Sequence, residues 1–518
     1  MNLPSPTLSQ LTVPRLLAAA TTLALASAAV SLPSYAAPND APARSDVART
    51  DTDTTTDQRL AARKGLQVKV KRPAAAKNLV RVTVTGPNGF RKKIRRTTTW
   101  SNARPGRYRI KAKVITLDDQ RVKPTVRPRK VRIRANRARQ TSRVTYRLPA
   151  FCARSGSQAY AWGEGDHGRL GTTSSTDRLT PGAVNRLRGV TAITGGLRTS
   201  YALCGNGTVW AWGFNQNGEL GNGATGDRAF PVRVAGLVGV TAIAARDQGA
   251  LALRSDGTVW SWGWGGYGQL GNGAAYNFST RQRTPVKVAL PAKATAIAGG
   301  GNTAYALLAN GTVRAWGNDG VGQLGNGAPN TDSATPVAVS GLTSVVELAA
   351  GHVTGYARTA AGGVRAWGGG NQGELGNNVT ANSNIPVTVS LGPAASSIGA
   401  SHSAGYAVTN AGSVYSWGSG RYGDLGYDNG GNPNASPDFN VTLTNVKKVV
   451  GAGYGGYALT TTGTVWAWGD NGSGQLGTGA AKTGPSHITG GVPTPAVIPG
   501  LSGVTAIGAG RLNGYAIR

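Results

Sequence analysis

The chain has 518 residues, a formal net charge of +33, 77 glycines and two cysteines. That length exceeds one ordinary hydrophobic core and implies several domains or a repeat array. The glycines keep no Gly-X-Y register, which excludes a collagen, and two cysteines exclude a disulfide-built scaffold and a paired CxxC metal site.

Residues 1–36 read as a secretory signal peptide. Arg15 precedes the apolar run Leu16 to Leu32, and small residues around Ala36 supply the cleavage site, so no integral span is expected after cleavage. Residues 37–58, rich in Pro, Asp, Thr and Ala, form a flexible linker that buries too little apolar surface to fold.

Residues 59–148 hold most of the charge: from Arg59 to Arg147 there are 29 Lys or Arg against two acidic residues. The period here is two. Leu66, Val68 and Val70 alternate with Gln67 and Lys69, Val80, Val82 and Val84 with Arg81 and Thr83, and Tyr108, Ile110 and Ala112 with Arg109 and Lys111. Alternation of this kind marks antiparallel strands with one buried face, and the module is expected to be a small immunoglobulin-like β-sandwich without the antibody Cys and Trp. Its solvent face carries Arg91, Lys92, Lys93, Arg95 and Arg96 between strands, which would gather a polyanion such as a wall polymer, anionic lipid or extracellular DNA. A merely solvated face is the alternative.

From residue 149 to 518 one phrase returns seven times: WGEGDHGRLG at Trp162, then its counterparts at Trp212, Trp262, Trp316, Trp367, Trp417 and Trp468. The intervals are 50, 50, 54, 51, 50 and 51 residues, the period of a propeller blade. Each phrase follows a hairpin such as Tyr201 to Trp212, turned by Gly205-Asn206-Gly207, with a further strand on either side. Four strands per repeat make a blade, and seven blades close into a ring. The last repeat stops at Tyr515-Ala516-Ile517-Arg518, and Gln158 to Trp162 supply the strand it lacks, so the termini share a blade. Phe151 to Arg154 compete for the slot of Tyr515 to Arg518; the latter continue an intact repeat and are preferred. Cys152 and Cys204 either form one bridge or remain two buried thiols.

The phrase resembles the repeat of the regulator-of-chromosome-condensation family. The resemblance covers residues 150–518 and implies an all-β fold, a seven-bladed β-propeller, here preceded by the sandwich. It also implies binding roles: the family's nuclear member exchanges guanine nucleotides on a small GTPase and binds nucleosomes, and a secreted bacterial member caps a β-lactamase. One departure is visible. Where the family commonly places His two residues before the Tyr or Leu that opens the hairpin, this chain has Thr199, Gly249, Thr303, Thr354, Ala404, Gly455 and Asn513.

No catalytic constellation is present: paired carboxylates, a nucleophile elbow and a phosphate loop are missing. Glu219 and Glu374 share one turn slot with Arg169, Gln269, Gln323 and Asp424, which reads as a solvated turn. His352 and His402 occupy matched slots, but the nearest carboxylate in that slot, Asp247, lies two blades from His352. Neither a metal nor a cofactor is expected.

Function therefore falls to the residues that vary between repeats. Arg198, Asp247, Gln248, Asn302, His352, His402, Tyr454 and Arg511 recur before the hairpins, and Phe214, Trp264, Tyr267 and Tyr422 lie in the turns after Trp-Gly. The expectation is an exported, non-enzymatic binding protein that uses a propeller face to recognise an extracellular protein, as an inhibitor would, with the basic module holding it at an anionic surface. A cell-wall polysaccharide binder is one alternative. An exchange-factor-like protein is another, disfavoured by export.

Overall fold

A computed structural model describes residues 66–72, 78–117, 120–122, 124–134, 139–145, 152, 156–440, 442–479 and 491–518. The expected signal peptide and linker, with Tyr146, Phe151 and His487, lie outside them.

In the basic module the alternating strands pair antiparallel as expected, with one correction: Leu66–Lys71 runs parallel to Gln140–Thr145. One sheet runs in the order Thr98–Trp100, Leu66–Lys71, Gln140–Thr145, Thr125–Arg127, the other in the order Arg91–Ile94, Val82–Thr85, Gly106–Ala112, Lys130–Ile133. Their inward residues, among them Leu66, Val68, Val82, Val84, Tyr108, Ile110 and Val144, form one apolar core. The sequence places Arg91, Lys92 and Lys93 between strands; they lie instead on the edge strand Arg91–Ile94. Arg95 and Arg96 follow it in a bend.

The repeats form seven four-stranded antiparallel blades. Blade 1 is Val190–Gly195, Thr199–Cys204, Val209–Gly213 and Arg228–Arg233, and blades 2 to 6 repeat that order. Blade 7 combines Ala506–Ala509 and Asn513–Ile517 with Gln158–Gly163 and Arg178–Arg188. Tyr515 pairs with Ala161 and Ile517 with Ala159, so the C-terminal segment takes the contested slot. Cys152 is bonded to Cys204, with Cα atoms 5.3 Å apart.

The recurring phrase locks one blade to the next. All seven Trp side chains are buried. Each indole Nε1 donates to the carbonyl just before Leu-Gly in the preceding blade: Trp212 to Arg169 at 2.7 Å, Trp262 to Glu219 at 2.8 Å, Trp367 to Gln323 at 2.9 Å, and Trp162 to Gln475 at 2.9 Å across the closure. The hairpin tyrosine of the same blade shares that acceptor, as Tyr201 does at Glu219 and Tyr356 at Glu374. The glycine after Leu has positive φ and lies under the ring: a Cβ on Gly221 would come 2.8 Å from Trp262, and one on Gly271 2.5 Å from Trp316. Only glycine combines that conformation with that approach.

The slot before Leu corrects the expectation of a solvated turn. Arg169, Glu219, Gln269, Gln323, Glu374, Asp424 and Gln475 are all buried. Glu219, Gln269, Gln323, Glu374 and Gln475 fold back to accept the amide two residues earlier at 2.8 Å. Asp424, one methylene shorter, makes no hydrogen bond of normal geometry with either oxygen. Burial pushes its carboxyl up to about 7.

Candidate functional site

The first strand of every blade lines a central cavity of about 370 Å³ walled by small and aliphatic residues such as Ile193, Ala298, Leu348 and Ile398. At one end, the loop after that strand places one residue per blade, four positions before the hairpin Tyr or Leu: Leu197, Asp247, Gly301, His352, His402, Gly453 and Arg511. Their amides form a closed collar. Leu197 N donates to Asp247 O (3.0 Å), Asp247 to Gly301 (3.2 Å), Gly301 to His352 (2.9 Å), His352 to His402 (3.2 Å), His402 to Gly453 (3.0 Å), Gly453 to Arg511 (2.8 Å) and Arg511 to Gly196 (3.2 Å).

The collar carries the side chains at the channel mouth. The His352 and His402 rings stack with centroids 4.2 Å apart and planes at 11°. His402 meets Tyr454 at 5.1 Å, and Tyr454 meets Tyr422 at 4.5 Å. The Arg511 guanidinium lies 5.8 Å from the Tyr454 ring centroid and donates to its hydroxyl at 3.3 Å. Arg421 stands 5.6 Å from the Tyr422 ring.

At the other end of the arc, His352 Nδ1 is 3.3 Å from Asp247 Oδ2, an ion-pair distance whose angle falls outside a hydrogen bond. The sequence puts these residues two blades apart, too far to matter. They meet because the intervening slot is Gly301, where a Cβ would come 2.4 Å from His352 Nδ1. Gly453 does the same service for Arg511, whose Cγ would be 2.9 Å from a Cβ there.

Charges are set by this crowding. Burial, reinforced by His352 and Arg511, lowers His402 to about 4, so its imidazole is neutral near pH 7. Burial raises the Asp247 carboxyl, but His352, Arg511 and His402 together outweigh it and hold the group below its ordinary value. Beneath the rim Arg246 is buried, donates to Ser261 Oγ and Trp262 O, and is drawn down to about 10 by burial. Towards the other end of the channel Glu347 accepts from Lys448 at 2.6 Å, and from Arg358 and Ser397 at 2.9 Å, joining blades 4, 5 and 6.

The two sets of candidate residues, separate in the sequence, share one face. The amide after each Trp-Gly bonds to the carbonyl one residue past the collar: Phe214 to Arg198 (3.0 Å), Trp264 to Gln248 (2.8 Å), Asn318 to Asn302 (3.0 Å) and Asp470 to Tyr454 (2.7 Å). Arg198 lies 6.0 Å from the Phe214 ring, which in turn contacts His167, paired with Asp227 at 2.6 Å. Gln248 and Asn302 are tied down by Asn217 and Gln269. Trp264 and Tyr267 cluster with Phe278. Phe278, 65% exposed, escaped the sequence reading although the 54-residue interval marks the longer loop that carries it.

This geometry defines a seven-bladed β-propeller with a decorated channel mouth, and among the described residues there is no group of three or more His, Cys, Asp or Glu placed to hold a metal. Models of the Regulator of chromosome condensation (RCC1) repeat match residues 157–203, 206–253, 256–307, 310–354 and 462–516, and a second set matches 190–219, 240–269, 294–323 and 446–475. Together they span more than half of the sequence, and the chain belongs to the RCC1-repeat family. Residues 355–445, outside both sets, carry blade 5 and most of blade 4 in the same register.

Solved structures agree on the fold. Human WBSCR16 is 19% identical, with 70% of this chain and 98% of that chain covered and a TM-score of 0.62. Prp20p of Saccharomyces cerevisiae, described with its binding to Gsp1p and histones, is 21% identical, with 71% and 92% covered and a TM-score of 0.60. The same yeast protein in complex with Kap60 gives 21%, 71%, 90% and 0.60.

Proposed function

We propose that this chain is an exported, non-enzymatic binding protein whose propeller recognises a protein partner through the channel-mouth face. The observation that carries the reading is the unbroken arc from Asp247 through His352, His402 and Tyr454 to Tyr422, flanked by Arg511. Aromatic and arginine side chains are the usual energetic anchors of interfaces. Here they stand on a backbone already fixed by the collar, so little ordering entropy remains to be lost on binding. An inhibitor that caps its target is the finer form of this reading. Export rests on the N-terminal sequence, and the basic module serves attachment to an anionic surface.

The test is capture from the producer's secreted fraction by the full mature chain. The triple variant Tyr422→Ala/His402→Ala/Tyr454→Ala is expected to lose the captured protein at least about tenfold. Equal capture by both would refute this face as the interface.

A polysaccharide partner is the second reading, favoured by the cluster of the half-buried Trp264 and Tyr267 with the exposed Phe278. Soluble wall polysaccharide should then protect Trp264 fluorescence from quenching, an effect lost in Phe278→Ala.

A further inference from the structure

Within the basic module, Leu66–Lys71 pairs with Thr98–Trp100 only through Leu66, Gln67 and Val68. Beyond Val68 the two parts of the sheet separate, and Val70 N bonds to Thr97 Oγ1 instead. A groove of about 800 Å³ opens there, lined by Lys69, Lys71, Arg72, Arg96 and Arg143 with only Val70 and Thr97 between them. Arg72 is steadied by its Nε bond to Arg95 O at 3.2 Å. The described residues of the module include no acidic side chain.

The register sharpens this. Lys69 stands beside Arg143, and Arg143 beside Arg127, on three adjacent strands, and all three are exposed. Like charges side by side on neighbouring strands destabilise a sheet, a cost that a bound anion would relieve. Lys69 and Lys71 point the same way about 6.6 Å apart along one strand, a spacing that suits successive anions of a linear polymer better than one isolated ion. No aromatic ring lines the groove, so bases would find nothing to stack on.

We infer that this groove is the seat of a linear polyol-phosphate polymer, gripped through its phosphodiesters by Lys69, Lys71, Arg96 and Arg143. The inference rests on the attachment role proposed above and names its site, and it is independent of the propeller's partner.

The experiment measures binding of poly(glycerol phosphate) to the full mature chain over a salt series. It compares Lys69→Gln/Arg96→Gln/Arg143→Gln with a control of equal charge loss on the other sheet, Arg107→Gln/Arg109→Gln/Lys111→Gln. The groove variant is expected to lose at least about tenfold in affinity and about three units of salt slope, one per phosphate contact removed; the control should lose less than about threefold. Equal losses would show a diffuse field and overturn the site, as would failure of the unaltered chain to bind. Tighter binding of single-stranded or duplex DNA than of poly(glycerol phosphate) would overturn the assigned polymer. Partner capture by the propeller is scored in parallel, so the two readings fail separately.

Discussion

Nδ1 of His352 lies 3.3 Å from Oδ2 of Asp247 although a complete blade stands between the strands that carry them. Gly301 lies beneath the span, and a Cβ there would also come 2.8 Å from the His352 carbonyl that accepts the Gly301 amide. Gly301→Ala should therefore displace the imidazole and disturb the collar, at a cost of about 1–3 kcal/mol. Urea denaturation together with the NMR chemical shifts of the His352 ring reads both effects. An unchanged midpoint with unchanged His352 ring shifts would contradict the account.

Trp262→Phe removes the donor to Glu219 O and leaves space above Gly221. A loss of about 2–3 kcal/mol is expected. Trp260→Phe offers the contrast, since its indole bonds locally to Thr258 Oγ1 at 3.2 Å and it is only half-buried. Its cost should stay below about 1 kcal/mol. Similar costs for the two variants would mean that the inter-blade bond matters little.

His402 and Asp424 shift stability in opposite senses over one pH range. His402, at about 4 when folded against an ordinary 6.5, contributes most above pH 6.5, and its contribution is lost as pH falls through 4. Asp424, at about 7 when folded against 3.8, contributes most below pH 3.8 and is lost as pH rises through 7. Asp424→Asn should therefore stabilise the protein at pH 8, by no more than about 4 kcal/mol, with the gain fading towards pH 4. Denaturant midpoints at several pH values measure it, and a gain that grows towards acid would reverse the assignment.

The Cys152–Cys204 bond closes a loop with a sequence separation of 52. Its removal in Cys152→Ser should cost about 2–4 kcal/mol. Reductant should lower the melting temperature of the unaltered chain and leave that of the variant unmoved.

The blades were legible in the sequence because their determinants are local and periodic. A Trp-Gly step, a turn glycine and a Leu-Gly pair recur every fifty residues or so, and the incomplete last repeat pointed to Gln158–Trp162 as its missing strand. The candidate rim residues could be named for the same reason. Their meeting could not be foreseen: that Asp247 reaches His352 depends on a missing side chain at Gly301, in a blade to which neither belongs. The slot of Glu219 and Asp424 was misjudged because its polar side chains turn inward to bond their own turn, and linear spacing does not distinguish that from facing water. The cationic groove depends on where Leu66–Lys71 parts from Thr98–Trp100, a matter of strand length that alternation alone does not report.

The seven collar bonds all run in one sense, each amide pointing to the carbonyl of the next blade until Arg511 returns to Gly196. Peptide dipoles aligned along a helix add to a positive and a negative end; the same dipoles laid head to tail around a circle cancel. The channel mouth therefore has no electrostatic pole of backbone origin, unlike the helix termini on which many proteins seat anions. Whatever sign of charge the ring prefers is written by the five side chains that stand on it, so altering one of them, Asp247 or Arg511, would retune the mouth without altering the ring.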